Sequence, residues 1–121
     1  MRAILLVSHG SYSSKTKDEI SVLTDRLRKR RLAPIIEYAF LEIEQPSIPE
    51  GIDLCKKKGA KEIIILLNFL NSGKHVDEDI PQILREARKK YPDVKILMTQ
   101  PITRNQKIVD LFADLIKQCT S

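Results

Sequence analysis

The sequence predicts an α/β fold in which a doubly wound, four-stranded parallel sheet of order 2-1-3-4 forms the middle of three layers, with helices on both faces. Three observations predict it. Short apolar runs alternate with stretches of helical periodicity in the order βαβαβαβα, no Gly/Ser-rich or Pro-rich linker interrupts the series, and 121 residues are enough for one hydrophobic core, giving a single domain over 1–121. Strands that alternate with helices pair in parallel through right-handed crossovers, which fixes the doubly wound arrangement.

The first strand is Ala3–Ser8. A Ser-rich loop follows, and Thr16-Lys17-Asp18-Glu19 reads as a capping box opening a helix to about Arg30, with Ile20, Leu23 and Leu27 as its buried stripe. The second strand, Ile35–Phe40, follows Pro34. After the loop Leu41–Pro46, Ser47-Ile48-Pro49-Glu50 is a second capping box with Pro in the first turn, and its helix runs to about Lys58, where Gly59 stops it. The third strand, Glu62–Leu67, is apolar on both faces, as a central strand between two helical layers should be. A long loop, Asn68–Glu78, precedes a helix opened by Asp79-Ile80-Pro81, with Ile80, Ile83, Leu84 and Ala87 at helical spacing. The fourth strand, Val94–Met98, and a last helix from about Asn105 to Cys119, with Ile108, Phe112, Leu115 and Ile116 turned inward, complete the pattern.

Composition narrows the function. With 42% hydrophobic and 31% charged residues the chain is of ordinary globular type, and its longest apolar runs, Ala3–Val7 and Ile63–Leu67, are five residues against the ~20 that cross a bilayer. No membrane partner is expected. The N-terminal stretch lacks the apolar region and cleavage site of a secretory signal, so a cytoplasmic location is expected. Cys55 and Cys119 belong to no Cys-x-x-Cys pair and read as buried or half-buried apolar residues. The +5 charge is concentrated at helix ends, in Arg26–Arg31, Lys56–Lys58 and Lys89–Lys90. Cations there complement the helix dipole and stay hydrated, and no interleaved aromatics stack bases, so no nucleic-acid partner is expected.

The topology points to a site. In doubly wound sheets ligands bind beyond the carboxyl ends of the strands where the crossovers diverge, here between strands one and three. His9 follows strand one and His75 lies in the loop after strand three; they are the only histidines. A lone histidine is more often a surface or packing residue, but two imidazoles converging on one crevice form an incomplete coordination shell for a late divalent metal. Glu42 and Glu44, after strand two, reach the same edge; either would complete the shell or accept protons, unless they are solvated loop acids. Lys74 and Arg104 stand on that edge too, suited to the carboxylates of an acidic ligand. Gly10 and Gly73 are read as positions of tight turns or close backbone approach. Ser8 stands where a histidine phosphatase has its phosphate-binding arginine, which argues against phosphoryl chemistry, and neither a nucleophile elbow nor a P-loop is present.

These residues carry a family resemblance over almost the whole chain. Leu6-Val7-Ser8-His9-Gly10-Ser11, Phe40-Leu41-Glu42 with Gln45-Pro46-Ser47-Ile48, and Phe69-Leu70 then Gly73-Lys74-His75-Val76 with Asp79-Ile80-Pro81 resemble the small CbiX-type sirohydrochlorin chelatases, related to the SirB enzymes of sirohaem synthesis. Asn68 departs from the pattern, standing where relatives often have Pro, and Pro101-Ile102-Thr103 lacks a glycine often seen near strand four. The resemblance implies a chelatase-like fold and a metal chelatase, a lyase that inserts Co²⁺, or Ni²⁺ or Fe²⁺, into sirohydrochlorin or a related carboxylate-rich tetrapyrrole, with the ion as substrate and no organic cofactor. It implies His9 and His75 as metal ligands and, with Glu42, as catalytic residues; Ser11, Gly73, Lys74 and Arg104 are the expected substrate-binding residues. A non-catalytic metal or tetrapyrrole carrier of the same fold is the alternative. Long family members hold two copies of the domain, so a short chain is expected to work as a homodimer.

Overall fold

The computed structural model describes residues 1–120. Strands β1 (Arg2–Ser8), β2 (Ile35–Phe40), β3 (Glu62–Leu67) and β4 (Lys95–Met98) form one parallel sheet in the expected order β2-β1-β3-β4. Between and after them come helices α1 (Ser14–Lys29), α2 (Ile48–Lys57), α3 (Ile80–Lys90) and α4 (Lys107–Thr120).

Alternation along β1 divides the core. Leu5 and Val7, with Ile63, Ile65 and Ile96 from β3 and β4, bury against Ile48, Ile52 and Cys55 of α2 and Ile80 and Leu84 of α3. Leu6 faces the other way and packs with Phe40 and with Ile20 of α1. The first cluster holds most of the fully buried aliphatic side chains, each worth ~1.5–3 kcal/mol on burial, so the α2–α3 face contributes the larger share of stability.

Local signals acted as read at α2 and not at α1. The Ser47 hydroxyl accepts from the Glu50 N–H and the Glu50 carboxylate accepts from the Ser47 N–H, the reciprocal capping box. Helix α1 instead starts a turn before the expected Thr16 cap, behind Ser13, and Thr16 lies inside it. Leu23, expected in the buried stripe, is exposed; Thr24 is buried in its place, its hydroxyl donating to the Ile20 carbonyl and so needing no outside partner. The long loop after β3 also contains more structure than expected: His75–Asp79 forms one π-helical turn that runs directly into α3.

Helix α4 is the main correction. Ile108, Phe112, Leu115 and Ile116 were expected inward, yet no described residue of α4 is buried, and Val109, Leu111, Phe112, Leu115 and Ile116 are 48 to 66% exposed. The cause is the connector from β4. Its Ile102 and Thr103 N–H groups donate to the Phe69 and Leu70 carbonyls after β3, fixing the exit direction so that α4 leaves the sheet. Helical periodicity identifies the apolar side of a helix but not the body it faces. One consequence is that Ile64 and Leu66 of β3 are only half-buried, and Leu97 of β4 is exposed. Cys119, on α4, is likewise exposed rather than half-buried, whereas Cys55 is buried as expected.

The basic helix ends are hydrated and about half of their cations are paired: Arg28 with Asp25 and Glu37, Lys58 with Glu37, Lys56 with Asp93, Lys89 with Glu86 and Lys90 with Asp53. Among the described residues no helix is long and apolar enough to cross a membrane.

Candidate metal centre

Hydrogen bonds extend the sheet past its strand ends and set the first part of the site. The Leu41 N–H donates to the Ser8 carbonyl (2.8 Å) and the Glu42 N–H to the His9 carbonyl (3.0 Å), so the chain after β2 stays zipped to the chain after β1. Gly10 permits this approach. Its φ is +102°, and a Cβ there would lie 1.9 Å from the Glu42 carbonyl oxygen. The chain then turns sharply at Ile43, whose φ is +73°, and the Glu44 N–H donates to the Glu42 carbonyl (2.8 Å) in a three-residue γ-turn. A β-branched residue in this conformation is strained, and the strain is spent on direction: the two acids separate. Glu42 turns toward His9, with His9 Nε2 and Glu42 Oε1 3.8 Å apart, while the Glu44 carboxylate accepts from the Ser11 N–H (2.8 Å). Glu44 is thus a half-buried brace of the His9 loop rather than a solvated acid.

His75 comes from the π-turn after β3. The ends of β1 and β3 are themselves joined, the Asn68 amide donating to the buried Ser8 hydroxyl (3.0 Å), which gives the departure at position 68 a local role. The two imidazole centroids are 4.9 Å apart with ring planes at 50°. Donor atoms of His9, Glu42 and His75 all fall within 4.8 Å of one another. Ligands held at ~2.1 Å by one ion sit about 3–3.5 Å apart, so closing on an ion needs a shift of roughly 1 Å. Side chains that are 42 to 53% exposed can supply that shift. The sheet occupies one side of the trio and the other side is open, leaving coordination positions for a second ligand.

The rings are oriented from behind. His9 Nδ1 lies 3.0 Å from the Gly10 carbonyl, which can only accept, so in the neutral ring Nδ1 carries the proton and Nε2 offers its lone pair on the Glu42 side. The other expected residues are distributed around this centre. Ser11 spends its N–H on Glu44 and its hydroxyl on the Ser13 N–H, so both groups serve the loop. Arg104 reaches the Ser72 hydroxyl and, with Ser72, Val76, Asp77 and Gln100, lines a depression of about 290 Å³ beside the His75 turn. Lys74 is exposed on that turn and has no ion pair among the described residues. At Gly73 the φ is not left-handed and an added Cβ would meet nothing within 4 Å, so, contrary to expectation, neither a left-handed turn nor a close approach inside the chain requires glycine there.

The CbiX family model matches residues 3–119, which include all three donors. The chain belongs to the CbiX family. It is 32% identical over 118 residues to the sirohydrochlorin ferrochelatase of Priestia megaterium, covering 98% of this chain and 44% of that protein. It is 30% identical over 138 residues to the sirohydrochlorin cobaltochelatase of Methanocaldococcus jannaschii, covering 94% of this chain and 96% of that one. The crystal structure of the sirohydrochlorin chelatase SirB from Bacillus subtilis subspecies spizizenii in complex with cobalt superposes with a TM-score of 0.89 at 31% identity, over 97% of this chain and 50% of that one. The chain therefore spans about half the length of the ferrochelatase and of SirB, and nearly all of the Methanocaldococcus protein.

Proposed function

We propose that this chain is a metal chelatase that inserts Co²⁺ or Fe²⁺, with Ni²⁺ as a further candidate, into sirohydrochlorin or a related carboxylate-rich tetrapyrrole. The observation that carries the proposal is the convergence of His9, Glu42 and His75 on one open edge. An enclosed four-ligand shell would retain its ion; three donors on one side hold the ion while leaving positions for pyrrole nitrogens. Metallation releases two pyrrolic protons. Glu42, the carboxylate nearest His9, takes one, and His9 takes the other on Nε2 once that nitrogen has given up the ion; both then pass to solvent from these exposed side chains. Lys74 and Arg104 orient the substrate's carboxylates, and the unfilled space over Gly73 admits the macrocycle beside His75. Ser11 contributes by fixing the loop through Glu44.

The active form is a homodimer. Its support is the uncovered apolar side of α4 together with the open cleft of about 760 Å³ beside it, lined by Leu66, Pro101, Ile102, Ile108 and Leu111. Exposed apolar area of this kind on one helix is the usual mark of an association surface.

Anaerobic incubation with sirohydrochlorin and Co²⁺, Ni²⁺ or Fe²⁺ tests the reading. The absorption spectrum of the macrocycle should change faster than in buffer, and His9→Ala and His75→Ala should abolish the excess. Equal rates for wild type, variants and buffer would sink the catalytic claim, and tight tetrapyrrole binding without turnover would indicate a carrier.

A further inference from the structure

We infer that Asp79 is a positioning residue for the metal centre: its carboxylate holds the His75 ring in the tautomer and orientation that present Nε2 to the ion. The inference rests on the metal-site reading above and extends it to a residue outside the donor set.

His75 Nδ1 and Asp79 Oδ2 are 2.8 Å apart, both side chains are about two-fifths exposed or less, and the carboxylate has no other hydrogen-bond or ion-pair partner among the described residues. An ionised carboxylate only accepts, so the proton of the neutral ring is on Nδ1 and the lone pair on Nε2. His9 reaches the same tautomer through a neutral backbone carbonyl. The two imidazoles therefore differ in what stands behind them, and only His75 is backed by a charge.

The backbone makes this pairing. Residues four apart are staggered on an α-helix but nearly in line on the wider π-turn, and the turn is closed here by the Ile80 N–H donating to the His75 carbonyl, five residues back. Because the π-turn runs straight into α3, Asp79 lies inside a continuous helical segment: its φ and ψ are −65° and −52°, it makes no capping hydrogen bond, and its carboxylate points back to His75.

The test uses the whole 121-residue protein and begins without metal. Nitrogen-15 spectra of the histidine rings should show His75 with Nδ1 protonated and Nε2 bare. Asp79→Ala should yield mixed tautomers. Asp79→Asn keeps size and shape, but its amide can turn an N–H toward Nδ1, so it should shift the ring toward the Nε2-protonated form with circular dichroism unchanged. A space-filling role would leave the tautomer untouched in the Asn variant. Co²⁺ affinity should fall about 10- to 100-fold wherever the tautomer is lost. The Asn variant decides, whether or not the Ala variant folds, and loss of the Nδ1-protonated form there supports the inference. An Nε2-protonated His75 in the wild type, or an unchanged tautomer in the Asn variant, overturns it. If His75→Ala abolishes Co²⁺ binding while the Asp79 variants bind normally, only this inference fails; a correct tautomer in a wild type that binds no Co²⁺ fails the metal-site reading instead.

Discussion

Replacing Gly10 by Ala should damage both fold and site, and two other glycines separate the causes. At Gly10 the φ of +102° costs an L-residue ~1–2 kcal/mol. The new Cβ would sit 1.9 Å from the Glu42 carbonyl oxygen, where carbon and oxygen normally meet at about 3.3 Å or more. Relieving that overlap means moving one zipped loop away from the other by over 1 Å, an overpacking cost of roughly 1–3 kcal/mol. Together these give about 2–5 kcal/mol, or a Tm lowered by some 8–20 °C at roughly 4 °C per kcal/mol. Gly59 has a similar φ of +103°, but its nearest neighbour is Met1 Sδ at 4.0 Å, so Gly59→Ala should show the conformational part alone, about 1–2 kcal/mol. Gly73→Ala meets neither obstacle and should be neutral or stabilising by ~0.4–1 kcal/mol. Thermal unfolding of the three variants reads this order directly, and Co²⁺ titration should be weakened only by Gly10→Ala. A Gly10 variant as stable as the Gly73 variant would refute the idea that close approach at Gly10 sets the position of Glu42.

Three other predictions follow from separate parts of the molecule. Burial pushes the Cys55 thiol up from 9.0 to about 12, so its neutral form stabilises the fold fully below pH 9 and that contribution is lost as pH rises toward 12; Cys55→Ala should flatten the alkaline loss of stability in urea titrations between pH 9 and 11, and parallel curves would contradict this. At the start of α2, hydrogen bonds from the Ser47 backbone and hydroxyl hold the Glu50 carboxyl below its usual 4.5, so that contribution is present above that value and disappears as pH falls below it; Ser47→Ala should cost about 1 kcal/mol at pH 7 by urea unfolding, with less difference from wild type at pH 3. On α4, Phe112→Asp with Ile116→Asp should convert a dimer to a monomer in light scattering with the secondary structure intact, since neither side chain contributes to the core of its own chain; an unchanged mass would remove the support for dimerisation through this helix.

Strand order, both buried helices of the main core and the edge that carries the site were legible in the sequence, because each rests on a local period or on a topological rule. β2 and β3 fall where their β-branched runs end, and Ser47-Ile48-Pro49-Glu50 acts as its spacing implies. What escaped is what depends on backbone detail or on the third dimension. Glu42 and Glu44 both reach the functional edge by position, and only the resemblance favours Glu42; the γ-turn at Ile43 is what sends them apart, and nothing in an Ile announces a φ of +73°. Asp79-Ile80-Pro81 reads as the opening of a helix because no residue pattern marks the π-turn before it; the four-residue distance of Asp79 from His75 is the available signal. Helix α4 shows the other limit: its apolar pattern is strong, but the connector pinned at Phe69 and Leu70 turns that pattern outward.

The central claim is that His9, Glu42 and His75 hold one ion together. Anaerobic titration with Co²⁺, followed by visible ligand-field absorption, measures it most directly. One equivalent per chain with a spectrum of mixed nitrogen and oxygen ligation is expected in the wild type, with loss in His9→Ala and in His75→Ala and a weaker, altered spectrum in Glu42→Gln. A Co²⁺ spectrum and affinity that survive the double replacement of both histidines would contradict the account.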